Sequence, residues 1–282
     1  MIIVIEGNIC AGKTTFATKL KLAIKENIII FKEPVANNPY LEKYYGNPKE
    51  YAYVMQLWLL RQRFLTYLQA MSLHLENPDL IIILDRSIFS DYVFAKQNLV
   101  DGNLDQSQFE EYMKLRNKFL SLITQPDLII YLDVSPEICF DRINNVRCIA
   151  CESSIKLEYL QGLNKCYKEL VQESRDHQIS VILLNWEHFD RCDDILSGVA
   201  KLTIPEFLEK SKINSNEFLV DDQTRTIYSW LRIVSSFGNQ SESFNLFKSS
   251  KVIFKFESFE TNLEDLIEFM GMKTKKEFFN FF

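Results

Sequence analysis

The amino-acid sequence predicts an α/β protein: a five-stranded parallel sheet with helices on both faces. Three observations carry that reading. Five short apolar runs recur along the first two-thirds of the chain, at residues 1–6, 28–31, 80–84, 127–133 and 179–184. Unbroken apolar runs of this length suit strands buried on both faces, as in parallel sheets. The stretches between them carry the three- and four-residue spacing of helices, so strands and helices alternate. Finally, the first run leads into Gly7-Asn-Ile-Cys-Ala-Gly12-Lys13-Thr14, matching G-x-x-x-x-G-K-[ST] at every fixed position, and a helical stretch follows. Strand, glycine loop and helix N-terminus in that order make a phosphate-binding unit.

That unit defines the first candidate site. The glycines let backbone N–H groups close on phosphate oxygens, and the helix dipole adds partial positive charge there. Gly7, Asn8, Ile9, Cys10, Ala11, Gly12, Lys13, Thr14 and Thr15 form the candidate triphosphate cradle. Lys13 can reach the outer phosphates, and the Thr14 hydroxyl is placed to ligand Mg²⁺.

Composition narrows the possibilities. The chain has 282 residues, 47% of them apolar, enough for one large domain or one domain with an addition. A net charge of −6 argues against a broad nucleic-acid surface. No apolar run approaches the roughly 18 residues of a membrane span. The N-terminal apolar run is committed to a strand and has no basic region before it, so a cytoplasmic protein is expected. Six cysteines without framework spacing fit reduced thiols. Cys148-x-x-Cys151 is the exception, open between incidental thiols and a redox or metal half-site, with no second Cys/His pair at zinc-like spacing.

The elements follow in order. A helix over 14–26 comes after the loop, and the strand at 28–31 ends at Lys32-Glu33-Pro34. Proline there stops the ladder, leaving Glu33 either as a loop glutamate or as a carboxylate facing the ligand crevice. A long helix from Pro48 to about residue 75 places Gln56 and Arg63 two turns apart on one face. Nothing local separates a solvated face from a ligand site there. The strand at 80–84 ends at Asp85-Arg86-Ser87, where an aspartate beside a phosphate loop is either a Mg²⁺ partner or half of a salt bridge. The adjacent arginine can counter phosphate charge. An amphipathic helix is expected over 105–124, and Pro136 begins another that includes Arg142. Residues 144–154 break the periodicity and read as a mobile loop. Helices near 155–175 and 190–201 flank the last strand. Residues 206–282 change character: they are rich in Phe, Ser, Asn and Lys. They are too aromatic for a disordered tail, with a possible strand over 251–256 and a short helix over 262–270. The expected division is therefore a domain over 1–205 and an extension over 206–282 of illegible role.

Taken together, Glu6 through Thr14, Lys32-Glu-Pro-Val35, Tyr45 through Gln56, Asp85-Arg-Ser-Ile-Phe-Ser-Asp91, Arg142 and Leu157-Glu-Tyr-Leu160 resemble the deoxynucleoside kinases, over about residues 1–200. The resemblance implies a P-loop kinase fold with an arginine-bearing lid. It also implies ATP and Mg²⁺ as cofactors, a small-molecule deoxynucleoside as substrate, and a homodimer. Glu33 is similar to the family's carboxylate beside the 5′-hydroxyl, the candidate general base. Asp85 stands where the family usually has glutamate and would bind Mg²⁺. Arg86 resembles the arginine at the transferring phosphate, and Arg142 and Arg147 resemble lid arginines. Tyr45 and Glu152 look like the pair on the 3′-hydroxyl, Gln56 like the glutamine reading the base edge, and Phe94 like the ring stacking on the base. Ile9 packs beside the nucleoside in this reading, and Glu187, His188 and Phe189 fall where the family holds the ATP adenine. Arg63 and Asp91 match a charge pair found in members favouring cytosine or purines, which implies deoxycytidine, deoxyadenosine or deoxyguanosine over thymidine. Two departures stand out: Cys148 and Ile149 follow Arg147 where family lids often carry another arginine, and Asn38 replaces an aromatic residue.

Two other readings compete. A nucleoside monophosphate kinase such as thymidylate kinase shares the phosphate loop and strand-end Asp-Arg, but here Glu33-Pro34 is not followed by the glycines usual in those enzymes. A non-catalytic nucleotide-binding subunit would have no need of Glu33.

Overall fold

The computed structural model describes residues 1–24, 27–33, 38–187 and 192–207, together with the backbone of 254–256 and 259–261. Five strands form one parallel sheet: β1 (Ile2–Gly7), β2 (Ile28–Phe31), β3 (Ile81–Asp85), β4 (Leu128–Asp133) and β5 (Val181–Asn185). Their spatial order is β2-β3-β1-β4-β5, which puts β1 at the centre. From β1 the chain crosses to the edge at β2, returns to β3 beside β1, and then passes to β4 and β5 on the other side, so the crevice at the strands' C-terminal ends opens at β1, where it runs into the phosphate loop.

Burial explains the apolar runs. Ile2 to Ile5 of β1 and Ile81 to Leu84 of β3 are all buried, as both faces of these central strands are covered. The helices covering them are α1 (Lys13–Ala23), α2 (Leu41–Gly46), α3 (Pro48–Glu76), α4 (Asp91–Val100), α5 (Gln106–Leu120), α6 (Pro136–Arg142), α7 (Leu157–Asp176) and α8 (Cys192–Gly198). α5 starts at a complete capping box, with the Asp105 carboxylate accepting from the Gln108 N–H at 2.8 Å and the Gln108 side chain accepting from the Asp105 N–H at 3.0 Å. α3 has Pro48 in its first turn instead, where a missing N–H costs nothing.

Residues 144–154 are not the irregular loop their sequence suggests. They fold into two short helical turns, a π-type turn over Ile143–Arg147 and a 3₁₀ turn over Ala150–Ser154. Cys148 N–H donates to the Ile143 carbonyl at 3.0 Å, and Cys148, at φ 49°, ends the first turn. Buried Ile143, Glu152 and Ile155 anchor the segment. Turns this short carry no apolar periodicity, so a pattern search finds nothing. In the extension, β6 (Phe254–Phe256) lies within the expected strand and pairs antiparallel with β7 (Phe259–Thr261). The helix expected over 262–270 lies outside the described residues.

Candidate active site

The phosphate loop is built where β1 meets α1. Gly7 has φ 152°, and a Cβ there would meet the Leu132 carbonyl oxygen of β4 at 3.0 Å. Gly12 has φ 93°, a left-handed conformation that side chains disfavour. Lys13 curls back so that Nζ donates to the Gly7 carbonyl at 3.2 Å and the Asn8 carbonyl at 2.7 Å. Burial, with Arg86 adding repulsion, lowers its ammonium from the usual 10.5 to about 8. A neighbouring anion would reverse that shift, which suits a phosphate-binding lysine.

A cavity of about 530 Å³ opens beside the loop, within the range of small-molecule sites. Ile9, Cys10, Gly12, Lys13, Thr14 and Thr15 line one side. Opposite them stand Glu33, Arg63, Asp85, Arg86 and Phe94, while Tyr45, Arg142, Arg147 and Glu152 close the rest. Residues more than a hundred positions apart thus meet in one hollow, where the strand ends carrying Glu33, Asp85 and Arg86 face Tyr45 of α2, Arg63 of α3 and Phe94 of α4.

One ion-pair chain organises the wall. Glu33 Oε1 receives Arg63 at 2.6 Å, and Oε2 receives Arg86 Nε at 3.1 Å. Burial alone would raise this carboxyl, yet the two guanidiniums outweigh it and hold it at about 2. Arg63 also pairs with Asp91, whose Oδ2 accepts from Gln56 at 2.9 Å and from the Tyr112 hydroxyl at 2.7 Å. Arg86 extends the chain to the Tyr167 hydroxyl, with its guanidinium 4.8 Å from the centre of the Phe94 ring. Gln56 and Arg63 are therefore on a buried face of α3, not a solvated one. Gln56 and Asp91 lie behind the lining, completely buried, and the Gln56 Oε1 has no hydrogen-bond partner.

On the phosphate side, Thr14 donates its hydroxyl to Asp85 Oδ2, while the buried Asp85 Oδ1 has no partner. In the lid, Arg147 pairs with Glu152 at 3.1 Å and lies 3.8 Å from the Cys10 sulfur. Arg142 donates to the carbonyls of Ala11, Trp186 and Glu187, tying the phosphate loop to the segment after β5. Tyr45 is shifted up, first by burial and then by the Glu152 charge beside it, so these two residues share one corner. Glu187 does not reach the cavity lining: its carboxylate accepts from the Ser135 N–H at 3.1 Å, at the start of α6. His188 and Phe189 lie outside the described residues. Asn38 is likewise no part of the wall; its side chain accepts from the Tyr40 N–H before α2.

Several lining residues escaped the sequence reading. Met55 and Leu59 fall eight and four positions before Arg63, so helical spacing from Arg63 would have found them. Tyr44 and Tyr159 also line the cavity, with their hydroxyls 3.4 Å apart, and no local pattern marks them.

The deoxynucleoside kinase family profile matches residues 3–203. The chain belongs to the deoxynucleoside kinase family. A deoxyguanosine kinase of Dictyostelium discoideum is 43% identical over 198 residues, covering 70% of this chain and 68% of that protein. A deoxyadenosine kinase of the same organism is 38% identical over 193 residues, covering 66% and 73%. A deoxyadenosine kinase from M. mycoides, solved with the products dCMP and a flexible dCDP bound, superposes with a TM-score of 0.59 at 30% identity, over 71% of this chain and 98% of that one. This deoxynucleoside kinase is thus an enzyme that phosphorylates nucleosides with ATP, and its five-stranded sheet with flanking helices is the family's fold.

Proposed function

We propose that this kinase transfers the terminal phosphoryl group of ATP to the 5′-hydroxyl of deoxyguanosine, deoxyadenosine or deoxycytidine in preference to thymidine. The observation that carries the proposal is Arg63 held between Glu33 and Asp91. It links the carboxylate that faces the acceptor hydroxyl to the group that fixes Gln56. With its amide nitrogen taken by Asp91, Gln56 keeps its carbonyl oxygen unpartnered behind the cavity lining, and a base edge that reached it would meet that oxygen with an N–H donor. A buried charge pair beside the base leaves thymine's methyl group against polar atoms.

Glu33, held at about 2, is ionised at any physiological pH and is a weak base. Its part is to accept the hydrogen bond of the 5′-hydroxyl and aim the oxygen. Phosphoryl transfer asks mostly for such positioning, because its transition state needs little base strength. Arg86 supplies positive charge to the transferring group, Lys13 holds the outer phosphates, and Arg142 and Arg147 close over them. Tyr45 and Glu152 receive the 3′-hydroxyl, and Phe94 and Ile9 pack on the base and sugar. Thr14 and Asp85 fit Mg²⁺: a carboxylate oxygen that is buried without a partner, next to a hydroxyl, is a hard-cation donor set. Mg²⁺ would neutralise phosphate charge there.

The decisive assay presents the four deoxynucleosides, and their monophosphates, with ATP and Mg²⁺. Thymidine as clearly the best acceptor overturns the specificity, and a monophosphate as the better acceptor overturns the 5′-hydroxyl reading. Assembly as a homodimer rests on the family resemblance alone; a monomeric mass by light scattering would refute it. A cytoplasmic location belongs to the same proposal, and imaging of the tagged chain tests it.

A further inference from the structure

We propose that Glu6 is a positioning residue for Arg86, holding the Asp85-Arg86-Ser87 turn in the conformation that aims the guanidinium into the cavity. Glu6 is the lone charged residue of β1, 1% exposed in the central strand of the sheet. A carboxylate there is costly, and an apolar residue would suit the strand better. No lysine or arginine forms a direct ion pair with it among the described residues, although the nearby Arg86 charge favours its ionised form. Its Oε1 instead accepts two hydrogen bonds from Ser87, from the backbone N–H at 3.1 Å and from the hydroxyl at 2.9 Å.

The turn those bonds secure is strained. Arg86 has φ 65°, a left-handed conformation that is unfavourable for a non-glycine residue and persists only where surrounding contacts over-determine it. The Ile5 carbonyl accepts from the Arg86 N–H at 3.0 Å, and Glu6, the next residue of β1, secures Ser87. Successive residues of the central strand therefore clamp successive residues of the turn. The outcome is an abrupt divergence of side chains: Asp85 faces Thr14, while Arg86 reaches Glu33 and Tyr167. If the Ser87 anchor is lost, Arg86 can relax to an ordinary backbone conformation and its guanidinium leaves the line to Glu33.

The inference rests on Arg86 acting on the transferring phosphate, and the experiment separates the two. Glu6→Ala and Glu6→Gln are made in the native chain and in an Arg86→Ala background, with kcat, nucleoside KM and Tm measured for each. Misplacing a catalytic group by about 1 Å costs on the order of a hundredfold, so Glu6→Ala is expected to lose about 30-fold or more in kcat with KM changed less than about threefold. Glu6→Gln keeps an acceptor oxygen for Ser87 and should retain most of kcat. In the Arg86→Ala background, Glu6→Ala should cost less than about twofold, because the residue it serves is gone. An equal loss with and without Arg86, or a lowered Tm with kcat unchanged, overturns the proposal. Full kcat in Arg86→Ala alone overturns the role of Arg86 and the inference with it. Should Glu6→Ala fail to fold, Ser87→Ala removes the hydroxyl contact and carries the same comparison, with an expected loss of about 3- to 10-fold.

Discussion

Arg63 touches a carboxylate on either side, and its neighbours fix what happens when one is removed. Asp91→Ala strips the acceptor from Gln56, Tyr112 and Arg63 at once, leaving three buried donors unmatched. Breaking a buried pair on one side costs about 3–5 kcal/mol, so urea unfolding should show a loss of that order. The double variant Arg63→Met/Asp91→Ala should lose less, and should raise thymidine turnover relative to deoxyguanosine. At Glu33 the sign follows from a folded value of about 2 against the ordinary 4.5. A depressed carboxyl contributes stability that is complete above 4.5 and is lost as pH falls from there towards 2. Glu33→Gln should flatten the pH dependence of unfolding in that window. Lys13 works the other way: its folded value of about 8 lies below the ordinary 10.5, so its contribution to stability rises between those pH values. Phosphates favour its charged form, and ATP binding near pH 8 should take up a proton. Calorimetry in buffers of different ionisation enthalpy reads this directly, and Lys13→Arg should abolish it.

Among the elements, α5 contributes no residue to the cavity lining and yet supplies Tyr112 to Asp91. Its N-terminus depends on the Asp105 carboxylate, and Asp105→Ala should cost about 0.5–2 kcal/mol with kcat unchanged, read by thermal unfolding alongside the assay. The lid segment combines two short turns instead of a regular helix. That brings Arg147 to Glu152 and to the phosphate loop. Triphosphate oxygens would compete with Glu152 for this guanidinium and free the carboxylate for a sugar hydroxyl.

Over the whole chain, the family match ends at residue 203 and the Glu33–Arg63–Asp91 chain is complete well before it. A chain cut after residue 205 should keep nucleoside kinase activity within about threefold if the extension is not part of the catalytic unit, as domains carry their own cores. Circular dichroism and the four-nucleoside assay on the truncated chain test this together. An unfolded product would make the extension structural, and a folded but inactive one would make it part of the site.

Legible in the amino-acid sequence alone are the fold class, the phosphate loop, and the carboxylate and arginine at the two strand ends. Each rests on local chemistry: unbroken apolar runs for doubly covered strands, glycines where φ is positive, and a proline after Glu33 that ends pairing. The family resemblance pairs Arg63 with Asp91 and Tyr45 with Glu152. It took the packed fold to show that Gln56 and Arg63 are buried rather than solvated, that Glu33 joins Arg63 to Arg86, and that Glu187 faces Ser135. Only the packed chain could reveal Tyr112, Tyr167 and the service of Glu6 to Ser87, because those contacts span from 21 to 81 positions. Periodicity reports which face of an element is apolar. Which polar group a buried side chain meets depends on strand order and helix packing, and these exist only once the chain has closed on itself.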